Sequence, residues 1–542
     1  MVPRALTASL AMPASLAAVT LVLAAAPAVA ERGRVLRSFP TPGTCPTGIA
    51  WDGGSLWIAD HKADRLVAVD PVTGAAGRSL AAPSWRTVGL AWDGSRLWTV
   101  DGAERVAYRV DPATGASDRR FELEAGLPRG LAWAGGRLWV SDASKGGRFH
   151  EVDPEDGTTI RTIPAPSRGV AGLAIAGGVL WAADRSDDTI WAIDPGSGEV
   201  FFGMPSPGPH PIGIAAVGDD LAVADYQKDQ VAVVSAAHDD RAKPWRRFDP
   251  REVSIEFSYR LRNLGPDPLR SASVFVAVPR DQPWQEVLTA PAFVPAPAAV
   301  AEDAGGQPIA RFEFADVPAG SSSAVTMTLR ARLWSIRWQV LPRDVGAPAA
   351  VPKDVARAYL ADGDKLAIDD PRIRGAIRKI QERETDALSV ARAAYRFVAD
   401  RLEYEMAGGW NAAPTVLERG TGSCSEYSFS LMSLLRAAGI PARYAGSFVV
   451  RGDDASWDED YHRWVEAYFP GIGWFPMDAN KGDKPGTKER ASGFGDLDNR
   501  VLVTTQSAGG TDAMAWTYNV NSRWVCAGKC KVVEDGVAEW SP

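Results

Sequence analysis

The sequence predicts a multidomain protein that is mostly β at first and α+β towards its C-terminus. Three observations support this fold class. A motif of two apolar runs around a turn recurs about every 40 residues in the first half of the 542-residue chain. From residue 253 apolar and polar residues alternate, and helical periodicity begins near residue 352. We therefore expect an N-terminal β-propeller, a β-sandwich and a C-terminal α+β domain.

Composition indicates packed cores and excludes some classes of partner. The chain is 46% hydrophobic and carries a net charge of −8, with no block of lysine and arginine. We therefore expect neither nucleic acid nor an anionic membrane surface as a partner.

The first thirty residues resemble a secretory signal. Arg4 precedes the apolar stretch 15–26, and Ala28-Val29-Ala30 is an A-x-A cleavage pattern. The stretch is shorter than the roughly 20 apolar residues of a membrane helix. We expect residues 1–30 to be cleaved and the protein to be secreted or periplasmic, without membrane insertion.

Five repeats define the predicted propeller over residues 31–236. They start at Gly48, Gly89, Gly130, Gly172 and Gly213, with spacings of 41, 41, 42 and 41 residues. The fifth repeat lacks a fourth strand, whereas residues 35–39 look like one, so we expect this N-terminal strand to complete the last blade and close the ring. A degenerate sixth blade is the alternative. The repeats resemble the NHL and YVTN-type propeller families.

Each repeat has an aspartate at the end of its second strand. These residues are Asp60, Asp101, Asp142, Asp184 and Asp225. They could form a ring of metal ligands, or each could cap its own turn. Because the feature recurs once per blade, we favour the structural interpretation and expect neither a metal nor a cofactor.

After the propeller we expect four further segments. Residues 237–250 are predicted to be a linker, 251–345 an antiparallel β-sandwich, 346–505 an α+β domain and 506–542 a C-terminal β extension. In the α+β domain, helices are expected after Asp370-Pro371 and after Thr385.

The four cysteines fall into three kinds. Cys526 and Cys530 flank a short turn and are expected to form a local disulfide in an exported protein. Cys45 is interpreted as a small buried residue. Cys424 stands apart because of its position in the sequence.

Cys424 lies at the predicted start of a buried helix. Ser423 and Glu426 form an S-x-x-E capping box, and an apolar run at helical spacing follows. The positive end of the helix dipole favours a thiolate, which is the reactive form of cysteine. A nucleophilic cysteine needs a base, and His462 is the only histidine after His238.

A hairpin can bring a carboxylate to that histidine. Residues 462–469 alternate as a strand, 470–473 form a turn and 474–478 return antiparallel. A plain four-residue turn would pair Phe469 with Trp474 and place Asp478 on the face away from His462. We therefore predict a register shifted by one residue, with a carboxylate oxygen of Asp478 about 3 Å from an imidazole nitrogen.

These motifs are similar to those of the bacterial transglutaminase-like superfamily. The likeness rests on Gly422-Ser423-Cys424, the stretch 435–443, His462-Arg463-Trp464, and Gly473-Trp474 with Asp478, and it spans about residues 250–505. It implies a papain-like core in which Cys424 is the nucleophile, His462 the base and then the acid, and Asp478 the orienting group. Many relatives carry proline where this chain has Ala479.

The resemblance implies acyl transfer from an amide through a thioester. The oxyanion would lie near the Cys424 amide, with Tyr404 and Trp410 as candidates for a second donor. We expect a secreted cysteine hydrolase of peptide or isopeptide bonds, with the propeller binding a protein, peptide or cell-wall substrate. The alternatives are a cross-linking transamidase and a non-catalytic adhesion protein that uses the fold as a scaffold.

Overall fold

The structure is a computed structural model that describes residues 31–237, 242–406 and 410–542. The predicted signal, residues 1–30, lies outside the described residues, as does the segment 238–241 of the predicted linker. Within the described ranges, no helix is both long and apolar enough to cross a membrane.

The N-terminal part is a closed ring of five four-stranded antiparallel sheets, which confirms the predicted propeller. The inner strand of each blade packs against the inner strand of the next, and the last blade packs against the first. The strands are β1 Val35–Pro40, β2 Pro46–Trp51, β3 Leu56–Asp60, β4 Arg65–Val69, β5 Ala76–Ala81, β6 Thr87–Trp92, β7 Leu97–Asp101, β8 Val106–Val110, β9 Ser117–Glu122, β10 Pro128–Ala134, β11 Arg137–Asp142, β12 Arg148–Val152, β13 Thr159–Pro164, β14 Val170–Ala176, β15 Val179–Asp184, β16 Thr189–Ile193, β17 Val200–Pro205, β18 Pro211–Val217, β19 Asp220–Asp225 and β20 Gln230–Ser235.

The first strand closes the ring. β1 pairs antiparallel with β20, with Phe39 opposite Val231, so the last blade has the order β1-β20-β19-β18. The N-terminal strand therefore supplies the fourth strand that the fifth repeat lacks, as the sequence predicts. The described ring has five blades.

The repeated aspartates cap turns. Each accepts a hydrogen bond from a backbone N–H two or three residues further on. The donor–acceptor distances are 2.9 Å at Asp60, 2.7 Å at Asp101, 2.9 Å at Asp142, 2.9 Å at Asp184 and 2.8 Å at Asp225. The turn-capping interpretation explains why the residue recurs once per blade.

A β-sandwich follows the propeller. Its strands are β21 Trp245–Pro266, β22 Leu269–Ala277, β23 Gln285–Val287, β24 Ala292–Val294, β25 Ala299–Glu302, β26 Pro308–Val317 and β27 Ser322–Trp338. β21 starts at Trp245, inside the segment predicted as a linker, because its first residues already pair with the end of β27. Alternate residues of β21, such as Ile255, Phe257 and Tyr259, face the sandwich core.

The α+β domain packs helices against a four-stranded sheet of order β33-β32-β30-β35. Two short 3₁₀ turns precede the helices. The elements are α1 Lys353–Tyr359, α2 Pro371–Gln381, α3 Ala387–Arg401, β28 Glu403–Tyr404, α4 Ala413–Arg419, β29 Thr421–Gly422, α5 Cys424–Ala437, β30 Ala442–Val449, β31 Ser456–Asp458, β32 His462–Phe469, β33 Gly473–Met477, α6 Thr487–Ala491, β34 Asp496–Leu497 and β35 Val501–Ser507. The two expected helix starts are confirmed: Asp370 caps α2 and Asp386 caps α3.

The chain then returns to the sandwich. β36 Val520–Cys526 pairs with β22, and β37 Cys530–Ser541 pairs with β21 and β31. The predicted disulfide joins Cys526 to Cys530 between these two strands, with Cα atoms 5.9 Å apart. The segment that connects β35 to β36 packs on the α+β domain, because its Trp516 and Tyr518 belong to the core of that domain.

The propeller packs directly on the α+β domain through its fourth blade. Arg392 of α3 is buried and stacks between Phe201 and Phe494, at 4.0 and 5.0 Å from the ring centroids. Arg396 of the same helix pairs with Glu199 at 2.5 Å. Ring and α+β domain are thus joined by specific contacts.

Candidate active site

Helix α5 begins at the cysteine that the sequence singles out. Every residue from Cys424 to Ala437 is buried. In the predicted capping box, the Glu426 carboxylate accepts a hydrogen bond from the Ser423 amide at 3.2 Å. Glu426 is itself fully buried and paired with Arg419 at 2.9 Å, so the start of the helix is anchored on both sides.

Cys424 occupies the first position of this helix and is 6% exposed. Burial raises the pKa of the thiol, but a hydrogen bond from His462 and the charges of His462 and Arg463 outweigh it, so the pKa of Cys424 is lowered. The site therefore favours a thiolate.

The hairpin between β32 and β33 has the shifted register that the sequence predicts. Phe469 pairs with Gly473, which leaves a three-residue loop, and Val465 pairs with Met477 rather than with Asp478. As a result His462 Nε2 lies 2.7 Å from Oδ2 of Asp478. The structure thus brings Cys424, His462 and Asp478 together.

Asp478 is held in place by contacts other than its hydrogen bond with His462. Asp478 is 4% exposed, its amide donates to the Gly493 carbonyl at 2.7 Å, and its Oδ1 accepts from the Lys481 amide at 3.3 Å. Burial raises the pKa of Asp478, but the charge and hydrogen bond of His462 prevail and lower it. The aspartate is therefore ionised when it holds the ring.

His462 is held in its charged form. Burial lowers its pKa, but the Asp478 carboxylate and the Cys424 thiolate outweigh burial and raise the pKa to about 10. Because Nε2 is taken by Asp478, Nδ1 is the nitrogen left for the sulfur. The arrangement is that of a thiolate–imidazolium pair, which can deliver a nucleophile and a proton to one acyl group.

A caged arginine lies beside this pair. Arg463 is 0% exposed, and within the described chain its Nε and Nη1 make no hydrogen bond. Four aromatic rings surround the guanidinium at centroid distances of 5.1 Å for Trp410, 5.1 Å for Phe429, 4.4 Å for Tyr444 and 4.2 Å for Tyr518. The ring faces attract the cation. Its charge is also one of the causes that lower the pKa of Cys424.

Tyr518 reaches the site from the segment before β36. Its hydroxyl oxygen lies 3.9 Å from Sγ of Cys424, and its ring stacks on Trp410 at 6.4 Å. Burial and the nearby thiolate raise the pKa of Tyr518 well above its usual range, so the phenol stays protonated and can donate. Tyr404, which the sequence suggests as a second donor, is 48% exposed, and its hydroxyl donates to Met406 at 2.9 Å.

Sequence reasoning missed Arg463 and Tyr518. Arg463 carried one signal, since it lies in a predicted strand in which most of the following residues are apolar, and an arginine is seldom buried in such a strand. Tyr518 carried none, because only the return of the chain after β35 places it beside a residue 94 positions earlier.

The fold and the site together define a β-propeller joined to an α+β domain with a buried cysteine–histidine–aspartate cluster. Comparison with family models matches residues 374–479 to the transglutaminase-like superfamily. The chain therefore carries a transglutaminase-like domain. A second match, over residues 90–246, is to the family described as outer membrane protein assembly factor BamB, and it falls on the propeller.

Individual similar proteins cover parts of the chain. An uncharacterised Bacillus subtilis protein, YebA, is 34% identical over 77 residues, which are 12% of this chain and 10% of that protein. A candidate cysteine protease from Cytophaga hutchinsonii is 14% identical, with 54% of this chain and 92% of that chain covered and a TM-score of 0.39. Glutaminyl cyclase from Myxococcus xanthus is 17% identical, with 37% and 95% covered and a TM-score of 0.34.

Proposed function

We propose that this protein is a cysteine hydrolase that cleaves peptide or isopeptide amide bonds through a thioester on Cys424. The observation that carries the proposal is the 2.7 Å contact between His462 and Asp478 beside a thiol with a lowered pKa. That combination supplies a nucleophile, a proton donor and a group that orients the donor.

In the proposed reaction, the Cys424 thiolate attacks the carbonyl carbon of the amide and forms a C–S bond. The negative charge moves to the carbonyl oxygen, where the Cys424 backbone N–H at the helix N-terminus can donate, with the Tyr518 hydroxyl as a second donor. The His462 imidazolium then protonates the leaving amine as the C–N bond breaks. Asp478 keeps the imidazole oriented throughout.

The thioester is released in a second half-reaction. Neutral His462 takes a proton from water, the resulting oxygen nucleophile attacks the thioester carbon, and Cys424 leaves as thiolate. The products are a carboxylic acid and the free amine. Attack by a second amine instead of water would make the protein a cross-linking transamidase, so the nucleophile of this step decides between the two activities.

We propose further that the enzyme acts outside the cytoplasm on a protein, peptide or cell-wall substrate, with the propeller as a binding module. The Cys526–Cys530 disulfide supports an oxidising compartment. The contacts of α3 with Phe201 and Glu199 support a fixed arrangement in which the propeller can position a substrate for the neighbouring domain.

A thiol-directed probe applied to the full-length protein tests this proposal. Cys424 should be labelled faster at neutral pH than Cys45, and Cys424→Ser should abolish both labelling and amide cleavage while Cys45→Ser retains them. Products analysed with and without an added primary amine distinguish hydrolysis from transamidation. Equal labelling of Cys424 and Cys45 would instead favour a non-catalytic scaffold.

A further inference from the structure

The propeller encloses a cavity on its axis, at the face where the inner strands begin. Its volume is about 230 Å³, and all five blades line it. The polar lining residues are Thr47 and His61 from the first blade, Arg86 from the second, Arg129 from the third, Arg185 from the fourth, and His210 and Tyr226 from the fifth. The cavity is much larger than the ~30 Å³ that one water molecule occupies in the liquid.

Glycines restrict the other end of the cavity. A Cβ added to Gly172 would lie 2.7 Å from the Cα of Gly213, and one added to Gly130 would lie 2.8 Å from the Cα of Gly172. Neighbouring inner strands therefore touch at the glycine that opens each repeat. Beyond this constriction the axis is lined by apolar residues such as Ile49 and Leu90. The polar side chains that line the axis therefore lie at one face of the ring.

The cavity lining is cationic. Three arginines and two histidines face the cavity, and no aspartate or glutamate among the described residues lines it. Burial and the like charges of Arg185 and Arg86 lower the pKa of Arg129. The Arg129 Nε and the His61 Nδ1 are buried without a hydrogen-bond partner in the described chain. Guanidinium groups gathered without a counter-charge are unfavourable unless an anion joins them.

The nearby carboxylates do not pair with the arginines of the cavity. Asp101 uses Oδ1 for two backbone N–H groups of its turn and Oδ2 for the Arg86 backbone N–H at 3.2 Å. Asp184 accepts from Ser167 at 2.5 Å and from Trp191 at 3.1 Å. These aspartates are occupied by their own turns, so the guanidinium groups of the cavity remain available.

Several other arginines of the same propeller form ion pairs. Arg109 pairs with Asp118 at 2.7 Å, Arg137 with Asp153 at 2.5 Å and Arg161 with Glu151 at 2.9 Å. For Arg86, Arg129 and Arg185, by contrast, no side-chain hydrogen bond or ion pair forms within the described residues. Exposed arginines of the propeller, such as Arg105 and Arg148, also lack a side-chain partner in the described residues, but water can solvate them. What distinguishes Arg86, Arg129 and Arg185 is that all three are partly buried and line the same cavity.

We propose that this cavity is a binding site for a small oxyanion of the carboxylate or phosphate class. The planar guanidinium fork matches the paired oxygens of both groups. The volume admits an organic anion of several heavy atoms, with His210 and Tyr226, whose rings lie 5.7 Å apart, contacting its body. This inference rests on the propeller alone and is independent of the chemistry at Cys424.

Titration calorimetry of the full-length protein at low ionic strength tests the site, with citrate and inorganic phosphate as the two probes. We expect binding of at least one probe that weakens as chloride is added. Arg129→Gln and, separately, Arg185→Gln should each weaken binding by about tenfold or more, since each removes a charge-assisted hydrogen bond. Arg78→Gln, which alters an exposed arginine of the same propeller bonded to the Pro112 carbonyl, should leave binding unchanged.

Thermal unfolding without a probe gives an independent readout. Because Arg129→Gln relieves repulsion among like charges, the substitution should not lower Tm in the absence of an anion. If Arg129 had only a structural role, the same substitution should lower Tm. Two results would overturn the proposal: neither probe binding to the folded wild-type protein, or the cavity variants binding as tightly as Arg78→Gln. Binding of phosphate alone or citrate alone would support the site and assign its class.

Discussion

Phe469 pairs with Gly473 across the β32–β33 hairpin, and this pairing places the Asp478 carboxylate on His462. A turn one residue longer would present Asp478 to the opposite face of the sheet, because side chains alternate along a strand. The three-residue loop is therefore the local feature on which the Cys424–His462–Asp478 cluster depends.

Asp478→Asn should leave the hairpin intact but lower amide cleavage by roughly 10²- to 10⁴-fold, since an amide no longer stabilises the imidazolium or selects its orientation. The loss should appear in kcat, measured under saturating substrate with folding monitored by circular dichroism. Asp483→Asn, a change at an exposed position nearby, serves as the control. Full activity of the Asp478 variant would remove the aspartate from the mechanism.

The pH dependence of alkylation and of amide cleavage should distinguish the ionisation of Cys424 from that of His462. The lowered pKa of Cys424 means that the thiolate forms at a lower pH than that of an ordinary thiol and is lost as the pH falls through that pKa. The raised pKa of His462, about 10, means that the imidazolium is lost as the pH rises through it. Alkylation should therefore have a midpoint below about 8.5 and stay fast in alkali, whereas amide cleavage should fall on both sides.

Such profiles are measured by following iodoacetamide labelling and amide cleavage on the same preparation. An alkylation midpoint at or above that of an ordinary thiol would contradict the thiolate assignment. A cleavage rate that keeps rising above pH 10 would contradict a role for the imidazolium as proton donor.

Arg463→Met should raise the pKa of Cys424, because the caged guanidinium is one of the charges that favour the thiolate. The alkylation midpoint should move to higher pH, and Arg463→Lys, which keeps the charge, should move it less. Urea unfolding of both variants reports separately on packing in the aromatic cage. A folded methionine variant with an unchanged midpoint would limit Arg463 to a packing role.

Gly172→Ala should destabilise the propeller, since the new methyl group would lie 2.7 Å from the Cα of Gly213 in the next blade. We expect a loss of about 1–3 kcal/mol or more, measured by urea unfolding. Gly77→Ala is the matched control, because its new methyl group would lie 3.5 Å from the Ala68 carbonyl oxygen, which is an ordinary van der Waals contact. Equal stability of the two variants would show that the inner strands can separate.

Local patterns were sufficient to predict the propeller, the capped cysteine helix and the shifted hairpin. Each is determined by residues close together in the sequence: a repeated glycine, an S-x-x-E box, and the alternation from His462 to Phe469. The strand that closes the ring was also predictable. The fifth repeat lacks a fourth strand, and residues 35–39, which precede the first repeat, have the pattern of one.

The surroundings of the thiol were not predictable in this way. Tyr518 and the partners of Arg463 come from four separate segments, and no periodicity links them. The pairing of β37 with β21 joins residues such as Gly536 and Tyr259, which lie far apart in the sequence. Pairings of this kind depend on the whole fold, so they cannot be predicted from local sequence patterns.

The most direct test of the central claim is mass spectrometry of the full-length protein quenched in acid during reaction with a small activated acyl donor. A thioester mechanism predicts one acyl group, mapped by peptide digestion to Cys424, lost on hydroxylamine treatment and absent in Cys424→Ser. An adduct on Cys45, or turnover of the donor by Cys424→Ser at the wild-type rate, would contradict it.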